Sequence, residues 1–384
     1  MSCVTGDWIN NPETQAVCNV LSKAGHNALF VGGCVRNALM GVSVNDIDIA
    51  TDALPERVLH LFDSAGLRTI PTGINHGTVT VVSGGTPHEI TTFRRDVETD
   101  GRRATVEHTD CVKDDARRRD FTMNALYAQP DGTVLDPLCG LPDLQARKLR
   151  FIEDPSARIE EDYLRILRFF RFHAWYGDPS AGLDQEGLAA CALLSAGIET
   201  LSKERIGAEM LKLLAAADPA PSVAAMTAAG CLTRVLPGAD ATSLPVLIHL
   251  EAEAGVRPDP IRRLAILGGE DVKTRLRLSK MDEARRALIW SSASDMKNPA
   301  EHAYRHGADA ALDIAIVHAA AFEIALPGEL RASLALGSGA KFPIAAADIS
   351  ARFAGPALGE KLRMLESAWI ESGFTATRDM LLKQ

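Results

Sequence analysis

Strand-like alternation of apolar and polar residues is confined to the first third of this chain. From about residue 140 onward the sequence turns to long stretches rich in Ala, Leu, Glu and Arg with helical spacing. That asymmetry predicts an α/β head followed by an all-helical remainder. In the head, 28–31 reads as a short apolar strand that runs straight into Gly32-Gly33, and 34–40 as helix. Residues 46–50 alternate as a half-buried strand does, and 54–64 reads as a helix with Pro55 in its first turn. Strands at 78–82 and 88–93 are joined by the turn residues Ser83-Gly84-Gly85-Thr86-Pro87. Residues 94–118 are charged, lack apolar period and read as a mobile loop. Further on, 160–174, 203–216, 219–229, 261–267 and 310–321 fit helices, with no internal repeat or low-complexity segment.

A length of 384 residues suits two or three domains. Hydrophobic residues make up 46% and charged residues 24%, which excludes wholesale disorder, a collagen-like fibre and a disulfide-stapled miniprotein. No apolar run reaches the roughly 18–20 residues that span a bilayer. Residues 1–10 carry neither a basic start nor an apolar core, so no secretory signal is expected. The seven cysteines form no CxxC pair, which argues against a zinc knuckle or redox motif and favours a reducing cytosol. A net charge of −9 argues against a chain that coats nucleic acid indiscriminately. Residues 257–288 nevertheless hold nine Arg or Lys against five acids. That run reads as a solvated helical face or as a surface that meets a nucleic-acid backbone.

The segment Val31-Gly-Gly-Cys-Val-Arg36, followed after nine residues by Asp46-Ile-Asp48, carries chemistry. A strand that ends in two glycines lets backbone N–H groups approach phosphate oxygens, although the same pair also serves as a plain strand–helix turn. Asp46 and Asp48, two apart on a strand, point to one face, where like charges are costly and a divalent cation relieves the cost. Ile47 and Ile49 fill the opposite face. Glu89, on the later strand, is a candidate third carboxylate. Two metal ions near such carboxylates suit in-line phosphoryl transfer.

Gly32-Gly33-x-Val35-Arg36 with Asp46-x-Asp48, Arg118-Arg119-Asp120-Phe121-Thr122-x-Asn124-Ala125, Asp136-Pro137-x-x-Gly140, and Glu161-Asp162-x-x-Arg165-x-x-Arg168 occur in that order. Together they resemble the class II CCA-adding tRNA nucleotidyltransferases, whose motifs the bacterial poly(A) polymerases share. Lys203-Glu204-Arg205-Ile206 with Glu209 looks like the family's fifth motif, and Leu276-Arg277-Leu278-Ser279 like a body segment. One departure stands out: Asn37 occupies the position after the motif arginine, where the family usually has Asp.

The resemblance implies a polymerase-beta-like nucleotidyltransferase head with a mixed sheet at 1–147. A helical neck at 148–216, a helical body at 217–290 and a helical tail at 291–384 would follow. It implies addition of C, C and A to the 3′ end of tRNA from CTP and ATP, with Mg²⁺ as cofactor. Asp46 and Asp48 would be the metal ligands and Glu89 the third carboxylate. Gly32, Gly33 and Arg36 would meet the triphosphate, and Arg119 the nucleotide near its ribose and phosphates. Asp162, Arg165, Arg168 and Arg171 would form the base pocket. Arg262, Arg263, Arg275 and Arg277 are candidates for tRNA backbone contact. No membrane and no protein partner are implied. A poly(A) polymerase, a CC-only or A-only enzyme, and a catalytically inactive RNA-binding relative are the competing readings.

Base choice follows from hydrogen bonding. Cytosine and adenine each present an amine donor beside a ring-nitrogen acceptor. A carboxylate accepts from the first while a guanidinium donates to the second. Asp162 and Arg165, three apart on an expected helix, are neighbours that present such a pair, although the same spacing also suits a ladder of salt bridges. Uracil and guanine show the opposite pattern and would leave the charges unpaired. The drift of a three-residue row around a helix takes Arg171 off the Asp162 face. By the same resemblance the charged segment 94–118 favours addition of the terminal A, since family members that add only CC tend to lack such a loop. His302 and His306 have metal-ligand spacing without an HExxH motif and are read as coincidence.

Overall fold

The computed structural model describes residues 2–74, 77–99, 104–296 and 298–384. It divides into two compact units, residues 1–237 and 238–384. The division falls inside the segment expected as body, and 217–237 pack with the first unit.

The first unit is built on a seven-stranded mixed sheet. Its strands are β1 (Leu29–Val31), β2 (Ile47–Thr51), β3 (Arg68–Gly73), β4 (Thr78–Ser83), β5 (Thr86–Thr92), β8 (Tyr127–Ala128) and β9 (Val134–Leu135), in the order β3-β4-β5-β2-β1-β8-β9. Every pairing is antiparallel except β2 with β5, which run parallel with Asp48 opposite Glu89. Alternation along these two strands sends Ile47, Ile49, His88 and Ile90 to a buried face, where His88 bonds Thr14. Asp48 and Glu89 share the other face. Leu29, Val31, Ala50, Phe93 and Tyr127 help build a separate apolar cluster.

The strands β6 (Arg94–Thr99) and β7 (Ala104–His108) form a separate antiparallel hairpin. The helices of this unit are α1 (Asp7–Asn10), α2 (Pro12–Lys23), α3 (Gly33–Leu39), α4 (Pro55–Ser64), α5 (Val112–Arg117) and α6 (Leu141–Gln145), then α7 (Pro155–Glu161), α8 (Leu164–Tyr176), α9 (Gln185–Leu193), α10 (Lys203–Leu214), α11 (Ala220–Ala228) and α12 (Cys231–Val235).

Two expectations are corrected. The segment 94–118 is not a loop but the β6–β7 hairpin followed by α5; backbone pairing, which no apolar period announces, holds it. Asp100, Gly101, Arg102 and Arg103 lie outside the described residues. The helix expected over 160–174 is two helices, broken at Asp162–Tyr163. Asp162 is extended there (φ −156°, ψ 104°), and its Oδ1 accepts from the Leu164 N–H at 3.1 Å. That local bond competes with helical pairing and ends α7 while it satisfies the start of α8. Beyond the break, Phe169 and Phe172 of α8 pack with Phe121 and Phe151 (centroids 4.9–6.3 Å apart), which ties α8 to the segment after Arg119-Asp120.

The second unit is helical: α13 (Leu244–Ala254), α14 (Pro260–Leu267), α15 (Val272–Arg275), α16 (Lys280–Ala293), α17 (Pro299–His306), α18 (Ala308–Ala321), α19 (Leu330–Gly339), α20 (Ala346–Ile349), α21 (Pro356–Glu371) and α22 (Arg378–Leu381). Its alanine-rich stretch serves close packing, since Ala311, Ala315, Ala319 and Ala320 of α18 are buried. A Cβ at Gly337 would lie 1.9 Å from the Ala300 carbonyl oxygen, so α17 and α19 meet only over glycine. His302 and His306 stack on each other, 6.1 Å between centroids. No helix among the described residues is long and apolar enough to cross a membrane.

Candidate active site

The sheet and α8 wall a cleft of about 880 Å³ in the first unit. Gly32, Gly33, Arg36, Asp46, Asp48, Glu89, Arg119, Asp162, Arg165, Arg168 and Arg171 all line it. Every head and neck residue singled out from the sequence is therefore in one place, including Arg171, which the helical drift had set apart. Arg94, Arg118, Asp120, Asn124, Phe172 and Lys212 complete the walls.

Gly32 leaves β1 with φ 68° and ψ −116°, a conformation that favours glycine, and a Cβ there would stand 3.4 Å from Arg119 Nη1. Asp48 feels the acids around it. Burial first, then the Glu89 charge, raise its carboxyl to about 6; Arg119 works against them and Asp46 with them. Among the described residues no three His, Cys, Asp or Glu side chains close into a metal-ligand group. Glu89 thus crowds Asp48 without completing a preformed cage. A divalent cation held by one or two carboxylates plus substrate phosphates and water needs no such cage, and a hard oxygen donor set with costly excess negative charge fits it.

The cleft arginines are anchored from behind. Arg119 Nε donates to the Tyr127 hydroxyl at 3.2 Å and Nη2 to Asp115 at 3.0 Å. Burial works to raise Asp115, but Arg119, Arg118 and the Tyr127 hydroxyl outweigh it and bring the carboxyl down to about 2. Arg168 grips Asp120 through Nε at 2.7 Å and Nη2 at 2.5 Å, and Asp120 also accepts from Asn124. Asn124 Oδ1 in turn accepts from Arg36 Nη1 at 2.5 Å. Asn37, the departure from the family pattern, accepts from Arg36 Nη2 at 2.8 Å while its own amide donates to the Ser43 carbonyl. Arg171 pairs with Glu209 at 2.6 Å.

The pair expected to read the base is built differently from the expectation. Asp162 and Arg165 flank the break between α7 and α8 and do not share one helix. Asp162 Oδ2 accepts from Arg205 at 2.6 Å. Arg165 is held by Glu161 at 2.6 Å and by the carbonyls of Arg158 and Arg118. Glu161 also pairs with Arg158. Sequence reasoning quoted Asp120, Asn124, Glu161, Arg205 and Glu209 within motifs without giving them work. The i,i+4 spacing of Asp120 and Asn124 was the available signal for one of these links. Asp115, Phe172 and Tyr176 carried no signal of their own.

Of the four arginines expected to meet tRNA, two are elsewhere than supposed. Arg262 is 5% and Arg263 1% exposed. Both pair with Glu251, and Arg262 also with Asp313, so these guanidinium groups are spent inside the second unit. Arg277 is exposed, and Arg275 is half-buried with a buried Nε.

Residues 28–150 match the model of the poly A polymerase head domain. Residues 182–242 match the probable RNA and SrmB-binding site of polymerase A. The human mitochondrial CCA tRNA nucleotidyltransferase 1 is 43% identical over 201 residues, 52% of this chain and 46% of its own length. A CCA-adding enzyme of Levilactobacillus brevis is 41% identical over 205 residues, 53% of this chain and 50% of its own. The matched region spans about half the length of these curated relatives. Among solved structures, the Bacillus stearothermophilus CCA-adding enzyme in complex with CTP superposes with a TM-score of 0.73 at 28% identity, covering 94% of this chain and 93% of that one. The Thermotoga maritima CCA-adding enzyme complexed with tRNA reaches 0.71 at 16% identity, a likeness of fold, and covers 100% of this chain and 98% of that one. With the head motifs gathered in one cleft and these matches along the chain, residues 28–150 form a poly A polymerase head domain, residues 182–242 match the probable RNA-binding region of that polymerase, and the chain is similar to CCA-adding enzymes in sequence over about half its length and in fold throughout.

Proposed function

We propose that this chain adds C, C and A to the 3′ end of tRNA from CTP and ATP, without a nucleic-acid template and with release of pyrophosphate. The observation that carries the reading is the common cleft: the carboxylates of β2 and β5 and the Asp162–Arg165 pair face the same 880 Å³. Arg36 and Arg119, with the Gly32-Gly33 turn, are suited to a nucleotide triphosphate. Asp162 has acceptor capacity for the exocyclic amine of C or A, and Arg165, fixed by Glu161, has donors for the ring nitrogen. Uracil or guanine would set carbonyl against carboxylate and N–H against guanidinium, a mismatch that costs orders of magnitude in rate.

Asp46 and Asp48 would hold the divalent metal, with Mg²⁺ the expected ion. When bound, it would supply charge neutralisation for the departing pyrophosphate and activation of the attacking hydroxyl. Arg275 and Arg277 remain candidates for tRNA backbone contact. All seven cysteines are free thiols, which supports a reducing compartment such as the cytosol.

The test is tRNA lacking its last three nucleotides, offered labelled CTP and ATP singly and together. Two C from CTP, then one A, is expected. A long A tract from ATP alone would assign a poly(A) polymerase, and no incorporation an RNA-binding relative.

A further inference from the structure

Three guanidinium groups of the cleft gather around one aromatic ring. The Cζ atoms of Arg36, Arg168 and Arg171 lie 5.3, 5.0 and 4.3 Å from the centroid of Phe172. Arg36 also stacks on Tyr176, with its Cζ 3.8 Å from that centroid. Phe172 and Tyr176 are i,i+4 neighbours on α8, with rings 5.5 Å apart, and so form one continuous surface. Three like charges this close repel one another. Arg168 and Arg171 have the carboxylates of Asp120 and Glu209. Arg36 bonds the neutral acceptors Asn37, Asn124 and Tyr176. Burial, together with the Arg171 and Arg168 charges, holds Arg36 below its ordinary range.

A carboxylate would steady Arg36 as well only by cancelling the charge that an anion needs. The negative face of an aromatic ring steadies a cation and leaves its charge in place. We propose that Phe172 and Tyr176 are positioning residues, an aromatic platform that keeps Arg36 un-neutralised and arrays it beside the carboxylate-paired Arg168 and Arg171 for the polyphosphate of an incoming nucleotide. The inference rests on the cleft being the nucleotide site and names what prepares its phosphate end.

The probe is inorganic tripolyphosphate, which has no base to be read, with its affinity measured by calorimetry on the full chain. Tyr176→Leu and Phe172→Leu remove a ring face and keep apolar bulk; each is expected to weaken binding about fivefold, the scale of a lost cation–π contact in a solvent-open cleft. Tyr176→Phe keeps the face and stays within about twofold of the parent. The half-buried Tyr176 pair of variants keeps the test open where Phe172→Leu fails to fold.

In steady state the leucine variants raise KM for CTP and for ATP by the same factor, with kcat little changed and the preference for C over U intact. Parent-like tripolyphosphate affinity in Tyr176→Leu overturns the platform. So does a loss in Tyr176→Phe as large as in Tyr176→Leu, which would assign the effect to the hydroxyl. A fall in kcat at constant KM reports only lost folded enzyme and also contradicts it. Parent protein that binds tripolyphosphate through these rings yet adds no nucleotide would leave the platform standing and overturn the proposed function.

Discussion

The molecule concentrates arginine in two places and treats it in opposite ways. In the second unit Arg262 and Arg263 are sealed among Glu251 and Asp313, and Arg285 joins from the rim through Asp313 and Asp259. Each guanidinium faces a carboxylate in a space with no room for a ligand, so the charge is spent on holding α13, α14, α16 and α18 together. In the first unit Arg36, Arg119, Arg165, Arg168 and Arg171 line an open cleft. Their anchors include neutral oxygens, backbone carbonyls and aromatic faces as well as acids. A run of basic residues therefore says little until its partners are known. Arginine matched to carboxylates in a sealed interior is scaffold, and arginine that faces an open cleft keeps donors for an anion even where an acid anchors it from behind.

Breaking the two regions should give opposite phenotypes. The largest effect belongs to the acids of the cleft. Asp48→Ala or Asp46→Ala should cut nucleotide incorporation on the order of a thousandfold, the several kcal/mol a catalytic metal contributes, with tRNA affinity retained. Gel-resolved extension and filter binding read the two arms, and a chelator should reproduce the first without unfolding the chain. Next, Glu251→Ala removes the buried carboxylate that two guanidiniums share, with Arg262 keeping Asp313, and should destabilise the second unit by about 3–5 kcal/mol in a denaturant titration. Arg165→Ala in the cleft, where Glu161 keeps Arg158, should shift that titration by less than Glu251→Ala does while it damages base choice. A Glu251→Ala protein with parent stability would erase the distinction between the regions.

Asp115 lies between the two types: buried and matched, yet holding an arginine that lines the cleft. Its carboxyl sits at about 2, below the ordinary 3.8. An acid lowered on folding stabilises above its unfolded value and loses that contribution as pH falls through its folded one. About 2 kcal/mol should therefore be present at neutral pH and fade between roughly pH 4 and 2. Asp115→Asn should lower stability at pH 7 and flatten that limb of the pH–stability curve; an unchanged limb would remove Asp115 as its cause. The smallest expected effect is Arg277→Glu, a few-fold loss of tRNA affinity with a shallower salt dependence.

The parts of this structure that a sequence can announce are those written in local period. Asp46-x-Asp48, with isoleucines on the alternate positions, declared a strand with two faces, and that is how β2 lies. The parallel pairing that sets Asp48 beside Glu89 joins residues 41 positions apart and had no local mark. The break at Asp162–Tyr163 was hidden because apolar spacing continues across it while one side-chain bond to the Leu164 N–H ends the helix. The β6–β7 hairpin was hidden because the segment has no apolar period, and backbone pairing alone leaves no mark in the sequence. Arg262 looked like surface because its acids, Glu251 and Asp313, are 11 and 51 residues away.

The account turns on two protein side chains doing what a template strand does. The direct measurement is the ratio of kcat/KM for CTP over UTP on tRNA lacking its 3′ end, in the parent and in Asp162→Ala and Arg165→Ala. A large ratio in the parent that collapses toward one in both variants is the predicted result. A ratio that survives both substitutions would mean that something other than this pair reads the base.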